Sequence, residues 1–286
     1  MKSGRFLSII YSLLALTLQA QDVAGTERLA DTFMRRGQYE TAFKYYQRAF
    51  FFASKDKAPE LYGKMGESSL MAGKYDFARQ YFHKAQQIEQ NDSLRAEWFL
   101  KKITAVVLQK RFKLALLEML NYRGPLLPHQ RVYAEYLKGL SYFGMEKFDL
   151  AHRHFEAALP PGDTLSRQRL DELFRRKNLM RPNPATAKWM SMFLPGSGQI
   201  YAGDWKNGLN SFFLNGLLAY LILRDAYTYS FWDSFAGIFP WLQRYYTGGY
   251  QRAEKIAKQR RKEKRARVFR RTYDLIFSSS ANTQTE

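Results

Sequence analysis

Four stretches of this sequence carry one pattern at nearly equal spacing: GQYETAFKYYQRAF at 37–50, GKYDFARQYFHKAQ at 73–86, KRFKLALLEML at 110–120 and EKFDLAHRHFEAAL at 146–159. An aromatic mark falls at Tyr39, Tyr75, Phe112 and Phe148, and a small one at Ala42, Ala78, Ala115 and Ala151; both series step by 36, 37 and 36 residues. Such a period restricts the chain to a stacked array, because one unit of this size cannot bury its own apolar face. A ring and a methyl three residues apart share one face of a helix. The alanine lets a second helix approach, and the ring fills the space beside it. Tyr46, Phe82, Met119 and Phe155 follow the alanines by four residues and extend the stripe. Upstream, 27–36, 59–72, 94–109 and 130–144 offer each unit a first helix, with Gly66 and Gly139 at equivalent crossing points.

Over roughly residues 22–162 this arrangement resembles the tetratricopeptide repeat (TPR), a helix-turn-helix unit of about 34 residues. The copies are two or three residues longer. The proline that follows the second helix is missing from the first two, and the third lacks both the turn glycine and the second glycine. The resemblance implies an all-α fold, with a TPR-like α-solenoid of about four helix pairs over 21–162. Its concave surface would take a protein or peptide partner. The eight marked aromatics and alanines are then packing residues, and no ligand-binding set is readable among the repeats.

The amino terminus has a different character. Lys2 and Arg5 precede an apolar run at 6–18, and Ala20 offers a small residue for cleavage. This is the layout of a secretory signal over 1–20, although Leu18 is larger than the usual residue at its position. The run of 13 residues is short against the roughly 20 that span a bilayer. An uncleaved anchor and a buried helix stay open as alternatives. Cysteine is absent, which removes disulfide scaffolds, thiolate zinc sites, cysteine nucleophiles and a lipid-modified cysteine anchor.

Residues 163–187 read as a charged helix and a linker, the latter broken twice by proline in RPNPATA. Beyond it, 189–201, 208–223 and 231–246 are apolar, with aromatics near their ends. Asn210, Asn215, Asp233, Pro240 and Arg244 interrupt them, so their polar groups should face other helices or water. Two architectures fit: a short membrane hairpin with a re-entrant entry helix, or a compact soluble helical domain. The sharpest local feature is LPGSGQIYAGDWKNG at 194–208, a tight break with close backbone approach, where Gln199 and Tyr201 can satisfy the freed carbonyls. Its spacing fits neither a phosphate cradle nor a nucleophile elbow.

PGSGQIYAG, FFLNG at 212–216 and YYTGGYQRAEKIAKQ at 245–259 together resemble a membrane domain of bacterial envelope proteins. That domain runs LPGxGQxYxG, an apolar hairpin containing Asn, then YxGGxxxA leading into a charged helix. The resemblance covers about 185–264 and implies a helical membrane-associated domain over 188–250. Its motif residues are Pro195, Gly196, Gly198, Gln199, Tyr201, Gly203, Asn215, Gly248 and Gly249. It also implies an exported, membrane-associated protein of the bacterial envelope with its repeats in the periplasm. It speaks of location and architecture rather than of a reaction.

A basic helix follows over 251–277, then a tail over 278–286 that reads as disordered. The formal charge is +19, and 251–271 alone holds eleven Lys or Arg against Glu254 and Glu263. Ala253, Ile256, Ala257 and Ala266 form only a thin apolar stripe, which suits a solvated helix. The patch of Arg260, Arg261, Lys262, Lys264, Arg265 and Arg267 suits anionic headgroups, at about 1 kcal/mol per basic residue near the surface. Nucleic acid is disfavoured, since Phe269 is the one aromatic among the charges of 251–271. Two membrane crossings would place this tail on the side of the repeats, against the positive-inside bias; one or three would place it in the cytoplasm.

His83, His129, His152 and His154 do not share a ligating face, and Asp225 and Asp233 stand too far apart in sequence to form an acid–base pair. Arg224 beside Asp225, and Arg244 after Asp233, suggest ion pairs. The expectation is a noncatalytic scaffold without cofactor or metal, tethered to a membrane outside the cytoplasm. The alternatives are a helper in membrane-protein or envelope biogenesis acting through the C-terminal domain, and a soluble adaptor binding nucleic acid through its tail.

Overall fold

The computed structural model describes residues 22–228 and 231–282, with side chains outside 231–235 and 278–282. The signal expected over 1–20 lies outside the described residues, as do the last four residues. Every regular element among the described residues is helical, so the all-α class holds. The chain divides into two units, one ending at Ala158 and the other beginning at Leu159.

The first unit comprises α1 (Val23–Arg35), α2 (Tyr39–Phe52), α3 (Ala58–Met71), α4 (Tyr75–Ile88), α5 (Asp92–Leu108), α6 (Phe112–Asn121), α7 (Pro128–Gly144) and α8 (Phe148–Ala157). They pack in chain order as four helix pairs. The second helix of each pair begins on its aromatic mark. Ala42, Ala78, Ala115 and Ala151 are all fully buried. All four aromatic marks open their helices, yet Tyr39, Tyr75 and Phe112 are only half-buried and Phe148 alone is buried. The rings that fill the core lie seven residues later, at Tyr46, Phe82 and Phe155, with Met119 in the third copy. A Cβ on Gly66 would lie 2.7 Å from the Phe82 ring, and one on Gly139 would lie 2.6 Å from the Phe155 ring. Glycine therefore lets those rings seat against the first helix in the same register.

The turn into each second helix passes through a left-handed residue. Gly37 and Gly73 have φ of +74°, while Lys110 and Glu146 have φ of +60°. The third copy lacks its turn glycine yet keeps the turn, with Lys110 accepting the strain.

The second unit comprises α9 (Thr164–Phe174), α10 (Arg176–Leu179), α11 (Pro184–Phe193), α12 (Ser197–Tyr201), α13 (Trp205–Thr228) and α14 (Phe231–Asn282). Three expectations change. First, α11 starts inside the expected linker of 181–187. Asn183 Oδ1 accepts the Ala185 N–H at 3.0 Å, and Pro184 at the first turn has no N–H to lose. Second, α14 is one helix of 52 residues, running through the expected boundary at 250 and into the tail as far as Asn282. Its basic part is packed as well as solvated. Ala253 and Ala257 are fully buried with Ala187 and Ala202, and Val268, Thr272 and Ile276 form a second buried row. Helices α9 and α10 pack on α14, where Arg265 Nε donates to the Leu179 carbonyl at 2.9 Å. Ala266 is exposed.

Third, no helix among the described residues is long and apolar enough to cross a membrane, so spanning helices are not found. The 24 residues of α13 include Lys206, Asn207, Asn210, Asn215, Arg224 and Asp225, which interrupt its apolar run.

Candidate functional site

The glycine-broken corner is built by side chains from four helices. Gly196 carries φ of +92° between α11 and α12. Ser197 Oγ donates to the end of α11, at 2.7 Å from both the Met190 and Leu194 carbonyls. Satisfying those carbonyls was the task expected of Gln199 and Tyr201, but they do something else. Gln199 Oε1 accepts from Ser191 Oγ at 2.8 Å, and its Nε2 donates to the Gly249 carbonyl on α14 at 2.9 Å. Ser191 Oγ in turn accepts the Gly198 N–H at 3.0 Å. Tyr201 Oη accepts the Asn183 N–H at 3.1 Å. Tyr246 Oη donates to the Met192 carbonyl at 2.6 Å.

Backbones touch at this corner. A Cβ on Gly198 would lie 1.8 Å from the Ala187 carbonyl oxygen, and one on Gly196 would lie 2.1 Å from that of Gly208. Ser191, Ser197, Gly208 and Tyr246 escape the motif reading. Ser191 had a sequence signal, being the one small polar residue within the apolar run WMSMF. Gly203, at φ +90°, makes the turn into α13. Next to it, Asp204 accepts from the Asn207 N–H at 3.2 Å and from Asn207 Nδ2 at 2.7 Å. The Asn207 side chain holds the Asp204 carboxyl below its usual pKa, and the charges of Arg252 and Arg260 add to that effect.

Between α13 and α14 lies a polar cavity of about 280 Å³. Gln199, Asn215, Arg244, Gly248 and Arg252 line it. Four of the nine expected motif residues are thus brought together around it, counting Gly249 at its edge. Asn215 is buried; its Nδ2 donates to the Ser211 carbonyl at 2.7 Å, and its Oδ1 has no hydrogen-bond partner among the described residues. A Cβ on Gly248 would meet nothing within 4 Å. Arg244, Gly248 and Arg252 recur every four residues and share one face of α14. Asn215 also lines an apolar cavity of about 540 Å³, together with Pro195, Phe212 and Phe239.

Around α11–α13 this unit buries polar side chains and exposes large apolar ones. Ser191, Gln199 and Asn215 are 1%, 1% and 4% exposed, while Phe193, Phe213, Leu223 and Tyr227 are 85%, 67%, 71% and 94% exposed. Leu209, Phe213, Leu217, Tyr220 and Tyr227 form one exposed stripe along α13, on the face away from Asn215. The basic patch is divided. Arg260, Lys262 and Arg267 are exposed, Arg261 and Lys264 are half-buried, and Arg265 is engaged with Leu179.

The histidines serve locally. His154 Nδ1 lies 2.7 Å from Glu135 Oε2, and its ring stacks on Tyr142 rather than facing solvent alone. Arg224 pairs with Asp225 at 2.7 Å; the Asp233 side chain lies outside the described residues. No family model matches the chain, and no curated protein matches it, so its two family resemblances rest on the repeat spacing and the three motif blocks.

Proposed function

We propose that this chain is a noncatalytic scaffold of the bacterial envelope, in which a TPR-like solenoid binds protein and the second unit seats it on a membrane. The observation that carries this reading is the set of large apolar side chains exposed on α11 and α13, above buried polar ones. In water, buried Ser191, Gln199 and Asn215 beneath exposed Phe193, Phe213 and Leu223 is an unfavourable arrangement; against lipid it is the favoured one. With no crossing helix among the described residues, the membrane contact is interfacial. The stripe on α13 enters the headgroup boundary, and the exposed cations of α14 add attraction to anionic lipid. The solenoid supports a peptide partner through a groove of about 350 Å³ between α2, α3 and α4, walled by Tyr39, Phe43, Phe77 and Tyr81 with Lys44 beside them. The export layout of residues 1–20 supports a place for this scaffold outside the cytoplasm.

Flotation of the purified full-length chain with vesicles tests the seat. The wild-type chain should float with the vesicles and resist alkaline carbonate, and Phe213→Glu with Leu217→Glu should leave it in the soluble fraction with its helical content intact. A detergent-free monomer that ignores vesicles would overturn the reading. Reporter fusions after Gly162 and after Arg271 test the side; a reporter after Gly162 that works only in the cytoplasm would overturn export.

A further inference from the structure

The polar cavity between α13 and α14 holds more unspent chemistry than any other place in the molecule. Arg244 and Arg252 reach it from one face of α14, four residues on either side of Gly248. Among the described residues neither guanidinium makes an ion pair. The charge of Arg252 is felt at Asp204, whose oxygens already accept two hydrogen bonds from Asn207. Two cations at one small cavity call for an anion, and guanidinium forks match the oxygens of a phosphate.

Gly248 gives the second observation. Glycine inside a helix is unfavourable unless something needs the space. At Gly196, Gly198 and Gly208 that something is a neighbouring backbone or side chain; at exposed Gly248, as at Gly216, no protein atom lies within 4 Å of a built Cβ, but only Gly248 lies between the two arginines at the cavity. Asn215 gives the third. A buried amide oxygen without a donor is rare, because it has lost water and gained nothing in return. Its Nδ2 is committed to Ser211, so what Oδ1 lacks is a hydrogen-bond donor.

We propose that this cavity binds a phosphate ester that also carries a hydroxyl or ammonium group, with Arg244 and Arg252 taking the phosphate oxygens and Asn215 Oδ1 accepting from the ligand's donor. A lipid headgroup and a soluble phosphate ester both have this chemistry. The lipid source rests on the membrane seat proposed above; the site itself does not.

The test uses the purified full-length chain in two arms. In one it is titrated with glycerol 3-phosphate. In the other it is floated with phosphatidylcholine vesicles with and without phosphatidylglycerol, which presents the same group on a lipid. Arg244→Gln with Arg252→Gln, and separately Gly248→Leu, should each lower affinity roughly tenfold or more, as loss of a charge-assisted contact does. Gly248→Leu fills the cavity and should raise the melting temperature; a purely structural role for this glycine would lower it. Arg260→Gln with Arg261→Gln should weaken vesicle binding through charge alone and leave glycerol 3-phosphate affinity unchanged. Binding of the soluble ester identifies a soluble source, and a response to phosphatidylglycerol alone identifies the lipid. The proposal is overturned if neither arm shows binding, or if the cavity variants bind as wild type does. Vesicle binding that the cavity variants leave intact would sink the site but not the membrane seat; ester binding without vesicle binding would do the opposite.

Discussion

Gln199 and Gly249, fifty residues apart in sequence, are joined by a 2.9 Å hydrogen bond from the glutamine amide to the glycine carbonyl. That bond ties a five-residue helix at the corner to the middle of a 52-residue one. The other end of the same amide accepts from Ser191. Gln199→Leu would leave the Ser191 hydroxyl without its acceptor and remove the bond to α14, while the Gly249 carbonyl keeps its bond within the helix. The loss should be about 1–3 kcal/mol from the second unit, the cost of one buried group left unpaired. Urea unfolding followed by Trp189 and Trp205 fluorescence would measure it, and an unchanged midpoint would rule the bond out as a support.

Glycines at the corner should respond oppositely to those further along α13. Gly198→Ala forces a methyl onto the Ala187 carbonyl, so it should destabilise by about 1–3 kcal/mol or more. Gly216→Ala meets nothing within 4 Å inside α13, and should stabilise by up to about 1 kcal/mol through helix propensity. Thermal melts of the two variants should shift in opposite directions.

Lys110 and Glu146 hold the left-handed turn that Gly37 and Gly73 make without strain. Lys110→Gly and Glu146→Gly should each stabilise the first unit by about 1 kcal/mol, less whatever the glycine costs in unfolded-chain freedom. Raised urea midpoints with an unaltered slope would bear this out. The reverse change, Gly73→Lys, should lower the midpoint.

Acid should loosen the pair of α7 and α8. Burial alone would raise the Glu135 carboxyl pKa, but hydrogen bonds from Lys138 and His154, together with their charges, outweigh it and hold the group below the usual carboxylate range. Its folded pKa is therefore lower than its unfolded one. The stability it contributes is complete above the ordinary glutamate range, near pH 4–5, and drains away as pH falls through the folded value. Glu135→Gln should flatten the stability profile in that acid window and leave its shape at neutral pH unchanged. Melting temperatures taken between pH 3 and pH 7, about the span of carboxylate titration, would show it.

How much was legible follows from the range of each interaction. Alanines 36 or 37 residues apart announced four buried helix contacts, because close helix packing leaves a size restriction that local sequence displays. The aromatic marks are packing residues of unequal depth, Tyr39, Tyr75 and Phe112 half-buried and Phe148 buried, a difference the shared pattern does not display. At the corner, the motif named Gly198, Gln199 and Gly249, but not that Gln199 bonds to Gly249 fifty residues further on, nor that Ser191, eight residues before it, donates to the same side chain. The linker at 181–187 failed for a simpler reason. Proline breaks a helix from inside but starts one when an asparagine caps it, and Asn183 does.

The unbroken length of α14 has a mechanical consequence. At 1.5 Å per residue, the stretch from Arg244 to Ile276 is a rod of about 48 Å, anchored at its far end by Val268, Thr272 and Ile276. Proline is absent from that stretch, and one hydrogen-bond ladder runs through it. One continuous helix therefore joins the wall of the cavity at Arg244 and Gly248 to the row that α9 and α10 cover, so the two places share a single backbone brace.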